Sequence, residues 1–415
     1  MANGTTTIDR TFGTPTNNIK WTWSGWVKPS MAQEQGLFHG YVDASNYAHI
    51  SLSSTNQLQL YNHVSGSASG NIKTNKVLRD CSAFYHIVVV FDSADSEATD
   101  RIKLYVNNVR ETSLANAVSP GISTASKING AWSHKVGAKL GSYDFSGVMS
   151  HVNFCDGQAY TPSDFGSTDA TDGMWKINTA PSVTYGNNGF FLKMEDSSNM
   201  DLDSSPNAAT FSTTGTLTAT KDCPSNNFCT MNPLDNYWFG GTFSNGNTTT
   251  VSPSSPYAMC TSTLGMASGK YYAEAKLQAG YPQLKFGITS RPPQSSNETM
   301  AFSGSTCYSG SDGTLVLDGV TDTGWGSTFS VGDIIGIGVD CDNNRIYFSV
   351  NGTWQNSANP SAGTGSETIV APSTTDSGHY YFAWSDNKTD GGSTMEYNFG
   401  NGYFGTTAIT SAGTN

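Results

Sequence analysis

Apolar residues along this chain recur at every second position far more often than at every third or fourth. In "IIGIGVDCDNNRIYFSVNG" (334–352), Ile335, Ile337 and Val339 fall on one side of an extended backbone, while Gly336 and Gly338 leave the other side bare. After a turn at Asp342, Asn343 and Asn344, residues Ile346, Phe348 and Val350 again share a side, with Arg345, Tyr347 and Ser349 opposite. "HIVVVFDSADSEATDRIKLYVNN" (86–108) repeats the scheme with Ile87, Val89 and Phe91, then Ile102, Leu104 and Val106. A period of two is the signature of a strand. Asp and Asn suit the turns because their side chains bond to nearby backbone and tolerate left-handed φ. Each stretch therefore predicts a β-hairpin with one oily face. A lone hairpin is marginal in water, so each needs more strands and a second sheet over that face.

Those strands are present around both hairpins. Near the first lie "IKWTWSGWVKP" (19–29), "HISLSSTNQLQLYNHV" (49–64) and "FSGVMSHVNFCDGQAYTPSDF" (145–165). Near the second lie "GKYYAEAKL" (269–277), "LKFGIT" (284–289), "TLVLDG" (314–319), "HYYFAWSD" (379–386) and "TMEYNFG" (394–400). No window of a dozen residues carries helical periodicity. The expectation is an all-β chain of two antiparallel β-sandwich (jelly-roll) domains, residues 1–222 and 223–415. Trp21, Trp23 and Trp26 are expected in the core, and Phe190–Met194 is expected as an edge strand of the first sandwich. Residues 166–228 otherwise predict long polar loops open to proteolysis, and 405–415 a flexible end or an extended arm.

Composition narrows the function. Hydrophobic residues make up 36% and aromatics 12% of the 415 residues, enough for two cores. Charged residues reach only 13%, about half the usual share of roughly 25%. Ser, Thr, Asn and Gly take their place, as on uncharged polar faces of extracellular or virion β-proteins. Net charge is −12 and Lys and Arg do not cluster, which argues against nucleic acid and against an anionic membrane as partners. No apolar run approaches 18 residues, so no membrane insertion is expected. "MANGTTTIDRTFG" has no apolar core of a secretory signal, so no signal peptide is expected. The seven cysteines are odd in number and irregular in spacing, which predicts reduced thiols, with a Cys223–Cys229 disulfide as the alternative.

Candidate chemistry is sparse. No strand carries the alternating carboxylates of a glycosidase, and there is no Gly-x-Ser-x-Gly elbow, phosphate loop or His-Glu-x-x-His set. Catalysis is therefore not expected, and neither is a cofactor. Asp196, Asp201 and Asp203, with Asn199, are candidate Ca²⁺ ligands, against the simpler reading of solvated turn carboxylates. Tyr237, Trp238, Tyr308, Trp325 and Trp354 lie beside Gly, Asn and Ser turns and are candidate ligand-binding rings, against the reading of core or rim packing.

Three resemblances follow from these segments. Residues 269–404 resemble a SPRY domain through "GKYYAEAKL", "LKFGIT", "VGDIIGIGVDCDNNRIYFSVNG", "YYFAWSD" and "EYNFGNGYF", in that order. That resemblance implies a bent β-sandwich that binds partners through loops at one rim, without catalysis. Residues 17–165 resemble a laminin-G-like, concanavalin A-like jelly roll through "WTWSGWVKP", "FYHIVVVFDS", "RIKLYVNN" and "GVMSHVNFCDGQAYTPSDF". "DRTFGTPTN" (9–17), "GNNGFFLKMEDSSNMDLDSSPNAATFS" (186–212) and "CPSNNFCTMNPLD" (223–235) are similar to segments in structural proteins of marine bacteriophages. This implies a virion surface protein made in host cytoplasm, a tail fibre or spike component or a capsid fibre or decoration protein. Its implied partners are other virion proteins and a host surface glycan or protein, and it is implied to be a homo-oligomer on the particle. A dedicated host-glycan-binding lectin-like adhesin is the alternative, and a polysaccharide depolymerase comes third.

Overall fold

The computed structural model describes residues 6–30, 33–139, 143–238, 240–253, 257–295, 298–386 and 392–409. Strands account for 47% and helix for 3%, and the chain is an all-β protein of two β-sandwich domains. It divides into two compact units, Met1–Asn227 and Phe228–Asn415. The division falls slightly after the expected 222/223. Lys28 explains why: its Nζ donates to Asp222 Oδ2 at 2.8 Å and to Asn227 Oδ1 at 2.9 Å. Asn227 in turn donates to the Ser82 carbonyl at 2.7 Å, and Cys223 and Asn226 close a small turn on each other. Residues 223–227 are thereby sewn onto the first sandwich. All seven cysteines are free thiols, and Cys223 and Cys229 do not form the alternative bridge.

The first unit pairs an eight-stranded and a six-stranded antiparallel sheet. From edge to edge the larger runs Leu114–Val118, Ser67–Val77, Gln57–Val64, Asn46–Leu52, Gln35–Asp43, Ser133–Val136, Thr7–Thr11 and Ser212–Thr214. The smaller runs Phe190–Leu192, Gly147–Asp156, Lys20–Pro29, Tyr85–Asp92, Ile102–Val106 and Val109–Arg110. The first hairpin is central here, with Ile87 opposite Val106, Val89 opposite Leu104 and Phe91 opposite Ile102. All six side chains enter one core with Trp21, Trp23, Ile50, Leu60, Phe154 and Phe190. Trp21 stacks on Phe91 with centroids 5.5 Å apart. Phe190–Leu192 is the expected edge strand, shorter by two residues because Met194 turns with φ 61°.

Residues 166–228 are not the loose connector that their polarity suggests. Gly166–Thr168 and Trp175–Ile177 form a hairpin, and Ser212–Thr214 pairs with Thr7–Thr11. Phe165, Tyr185 and Phe191 pack with Val88, Val90 and Cys155 on the outer face of the six-stranded sheet. Trp26 is buried as expected, but on this second face, where it stacks on His86 at 4.7 Å. Trp175 Nε1 donates to His86 Nδ1 at 2.9 Å, so His86 Nε2 carries the proton and donates to Ser24 Oγ at 2.9 Å. The six-stranded sheet is thus covered on both sides.

The second unit repeats the plan. A seven-stranded sheet runs Met231–Trp238, Ala258–Ser262, Tyr381–Asp386, Lys285–Thr289, Ser305–Ser309, Thr314–Leu317, Val320–Asp322. An eight-stranded sheet runs Thr242–Ser244, Thr249–Val251, Thr394–Asn398, Lys270–Ala279, Ile334–Asp340, Arg345–Val350, Thr353–Trp354, with Glu367–Thr368 also on Arg345–Val350. The second hairpin is central again: Ile335, Ile337, Val339, Ile346 and Phe348 lie in the core with Phe286, Trp384 and Tyr397. Residues 405–409 are not a free arm: Tyr403–Phe404 pairs with Thr407–Ala408, and 410–415 lie outside the described residues.

Two outcomes follow. Val89→Asp and Ile337→Asp each place an unpaired charge in a core, at a cost of several kcal/mol, against a domain stability of roughly 5–15 kcal/mol. Calorimetry should show each variant losing the transition of its own unit; a parent-like scan would mean that the hairpin face is exposed. The second outcome concerns pH. Burial holds His86 and His134 at about 3, below the ordinary 6.5. The unfolded chain therefore takes up protons that the folded unit refuses, and stability is lost as pH falls below about 6.5. Only His379 belongs to the second unit. Between about pH 7 and 4.5, the first unit's melting temperature should fall and the second's should hold; two flat profiles would contradict neutral, buried rings.

Candidate functional site

The outer face of the first unit's eight-stranded sheet carries an ordered array of rings. In Asn46–Leu52 and Gln57–Val64, Ala48, Ile50, Leu52, Leu58 and Leu60 point to the core. Alternation then sends Tyr47, His49, Ser51, Gln59, Tyr61 and His63 outward. Register aligns them in rows across the strands. One row is Tyr41, Tyr47, His63; the next is His39, His49, Tyr61, Asn71; a third is Ser51, Gln59, Lys73. Tyr47 and His63 centroids are 4.8 Å apart, His49 and Tyr61 5.5 Å, and Tyr61 and His63 5.8 Å. Gln59 Nε2 donates to Asn71 Oδ1 at 2.7 Å, and His49 Nδ1 meets Ser51 Oγ at 3.1 Å.

Lys139 and Tyr143 complete a shallow pocket of 330 Å³ with Tyr47, His49, Gln59 and Tyr61. Lys139 pairs with Glu34 and lies 5.3 Å over the Tyr143 ring. Burial pulls the imidazole of His49 well below its ordinary value and lowers that of His39. Both rings are therefore neutral at pH 7, and the lysine's charge is met by its glutamate. Such a surface offers flat π faces beside an amide and hydroxyls, with Lys73 in the row of Ser51 and Gln59. It suits ligands with apolar C–H faces and many hydroxyls, which is the chemistry of sugar rings.

The rings singled out by sequence lie elsewhere and do not converge. Tyr308 is not a loop ring at all: it sits within Ser305–Ser309, fully buried, with its hydroxyl donating to the Ser327 carbonyl. Trp325 leans on Tyr308 and Phe348, and its Nε1 donates to Glu367 at 2.8 Å, so it is half core. Tyr237 packs on Met259, Met300 and Cys307 and donates to Asp235. Trp238 is 47% exposed at the end of an edge strand. Trp354 lies on the other sheet, edge-on to Tyr272 and Tyr347 at 6.2 Å each.

Asp196, Asp201 and Asp203 do not form a cation site either. Asp203 is buried, and its carboxylate accepts the N–H groups of Phe191, Ser205 and Ala209 and the Ser205 hydroxyl. Asp196 accepts from Ser198, and Asp201 from Thr213. Asn199 only closes the turn, its N–H on the Asp196 carbonyl. Among the described residues no group of three His, Cys, Asp or Glu is placed to hold a metal. The ring array that sequence reasoning missed did leave a signal. In "YAHISLSSTNQLQLYNHV", Tyr and His recur at the positions between the core Ile and Leu, where polar residues are usual.

Residues 3–164 match the model of the concanavalin A-like lectin/glucanases superfamily, and residues 270–364 match the SPRY domain. The chain carries a concanavalin A-like domain followed by a SPRY domain. Among solved structures it is similar to the SPRY domain of human HERC1, at 17% identity over 41% of this chain and 98% of that one, with a TM-score of 0.32. It is also similar to the heptameric SAP-like pentraxin of Limulus polyphemus, at 16% identity over 38% and 72%, with a TM-score of 0.28. The TRIM65 PSpry domain gives 9% identity over 41% and 89%, with a TM-score of 0.29. No curated protein matches the sequence. The array lies on the concanavalin A-like domain, and this pair of domains fits a binding role.

Because the Asp203 oxygens are already filled by four N–H and O–H donors, added Ca²⁺ should leave the first unit's melting temperature where chelator leaves it. Differential scanning fluorimetry in the two conditions checks this; a clear rise with Ca²⁺ would mean that these turns rearrange around an ion.

Proposed function

We propose that this chain is a non-enzymatic surface protein of a bacteriophage virion that binds glycan through the ring array of its concanavalin A-like domain. The observation that carries the reading is the grid of Tyr47, His49, Tyr61 and His63 beside Gln59 and Asn71. Its groups are suited to holding a sugar, and burial holds His49 well below its ordinary value, which makes it a poor general acid near neutrality. The particle location is supported by the segments similar to marine phage structural proteins and by a polar, weakly charged composition. Partners on the particle would be other virion proteins and further copies of the chain, and repetition would let weak contacts suffice, since linked sites gain avidity without new contacts. Attachment could serve the tail or the capsid; a dedicated host adhesin shares the same site.

Two measurements test this. Mass spectrometry of washed particles, with labelling by an antibody to residues 226–405, should find the chain in many copies on the outside. A glycan array should show retention that Tyr61→Ala weakens by roughly tenfold or more. Absence from particles together with a blank array would end the reading and favour a cellular SPRY-type adaptor.

A further inference from the structure

The last residues of the first unit close on one amine. Lys28 lies in Lys20–Pro29, and its Nζ donates to Asp222 Oδ2 at 2.8 Å and to Asn227 Oδ1 at 2.9 Å. The same atom lies 5.8 Å from the centre of the Phe84 ring. A turn brings the two acceptors there. The Asp222 N–H donates to Thr220 Oγ1 at 3.1 Å, and Cys223 and Asn226 exchange backbone hydrogen bonds of 3.2 and 3.0 Å. Asp222 and Asn227 therefore flank one closed turn. The Asn227 amide is oriented as well, because its Nδ2 donates to the Ser82 carbonyl at 2.7 Å and its Oδ1 faces the lysine.

This arrangement holds more than an ion pair. On the same strand, Lys20 and Asp92 leave 33% and 13% of their side chains exposed, whereas Lys28 and Asp222 leave 3% and 4%. Water is thus kept from the Lys28 amine, and a carboxamide is placed beside it. Asn227 Cγ is one C=O bond of about 1.2 Å beyond Oδ1. That sets Nζ close to the roughly 3–3.5 Å at which reacting atoms are poised. A nucleophile, an electrophile and a proton carrier are within one hydrogen bond of each other.

We propose that Lys28 and Asn227 join spontaneously in an isopeptide bond, with Asp222 carrying the protons. Asp222 takes one proton from the Lys28 ammonium. The freed lone pair on Nζ attacks Asn227 Cγ, and the carbonyl π pair moves onto Oδ1. As that pair returns, the Cγ–Nδ2 bond breaks. The leaving nitrogen takes one proton from Nζ and the one held by Asp222, and departs as ammonium. Amine and carboxamide become a secondary amide, Asp222 ends as a carboxylate, and no oxidant or cofactor is needed. Asn227 is exposed, which gives the ammonium a way out. The bond ties residues 199 positions apart, and a cross-link of that span restricts the unfolded chain strongly. It fastens the end of the first unit to a central strand, and it does not depend on the glycan reading.

Mass spectrometry of the denatured full chain tests this. The parent should weigh one ammonia less than its sequence, and its digest should contain a branched peptide joining residue 28 to residue 227. Lys28→Arg and Asn227→Ala should each restore the full mass. Asp222→Asn, which leaves amine and amide in place, should slow linking by roughly a hundredfold or more, read as linked fraction against time. The first unit's melting transition checks folding of the variants, and the parent's own mass decides the matter should they fail to fold. A parent of full mass would overturn the proposal. So would loss of one water with a branch between residues 28 and 222, or loss of ammonia without any branched peptide. Linking of Asp222→Asn at the parent's rate would overturn Asp222 as the proton carrier.

Discussion

A single buried carboxylate organises the first sandwich. Asp156 ends the Gly147–Asp156 strand with no exposure to water. Its Oδ2 accepts the N–H groups of Thr16 and Asn188 at 2.7 and 3.1 Å, and its Oδ1 accepts the Asn17 N–H at 3.1 Å and the Asn129 amide at 2.6 Å. A buried ion without partners is among the most costly features a fold can hold, and one met by four donors becomes a fixed point. Those donors come from three distant segments. The Asn17 turn launches Lys20–Pro29, the Asn129 turn launches Ser133–Val136, and Asn188 precedes Phe190–Leu192. Through Ser133–Val136 the constraint reaches Gln35–Asp43, and from there the strands that carry Tyr47, His49 and Tyr61. Gly186, with φ 68°, must pass so near that a Cβ would lie 2.3 Å from the Asp156 carbonyl.

This node also shows where sequence reading stops. Strand period and turn residues made both hairpins legible, since Val89 and Ile337 can satisfy an oily face in only one register. The tryptophans were legible as buried, but not that Trp26 faces away from Trp21 and Trp23. What covers the six-stranded sheet comes from residues 165–191, whose apolar residues are widely spaced among polar ones and carry no period. Asp156 itself looks like any strand-end aspartate, because its partners are 27 to 140 residues away in sequence. Asp203 misled for the complementary reason: a cluster of turn aspartates resembles a cation loop until the backbone N–H groups that fill it are located.

Composition acquires a structural meaning at the sheet faces. A chain with 13% charged residues must finish its outer surfaces with neutral polar groups. Burial carries this further by keeping His49, His86 and His134 uncharged. His134 shows how a neutral ring becomes a structural element: its Nδ1–H donates to the Trp132 carbonyl, its Nε2 accepts the Asn129 N–H, and its face lies 3.8 Å from Phe12.

The two units reach comparable faces by different routes. In the concanavalin A-like domain, four rings fill adjacent positions and the sheet stays crowded. In the SPRY domain, two glycines carry no side chain in the middle of the sheet, and Ser349, Tyr272 and Trp354 from neighbouring strands fill the space. The glycines were visible in sequence as a bare face, but their consequence depends on Tyr272 and Trp354, which come from strands on either side of the hairpin. Whether a bare strand is filled in or left open depends on the size of its neighbours in the sheet. That relation belongs to sheet order, which neither the spacing of the glycines nor the loop position of an aromatic residue reveals.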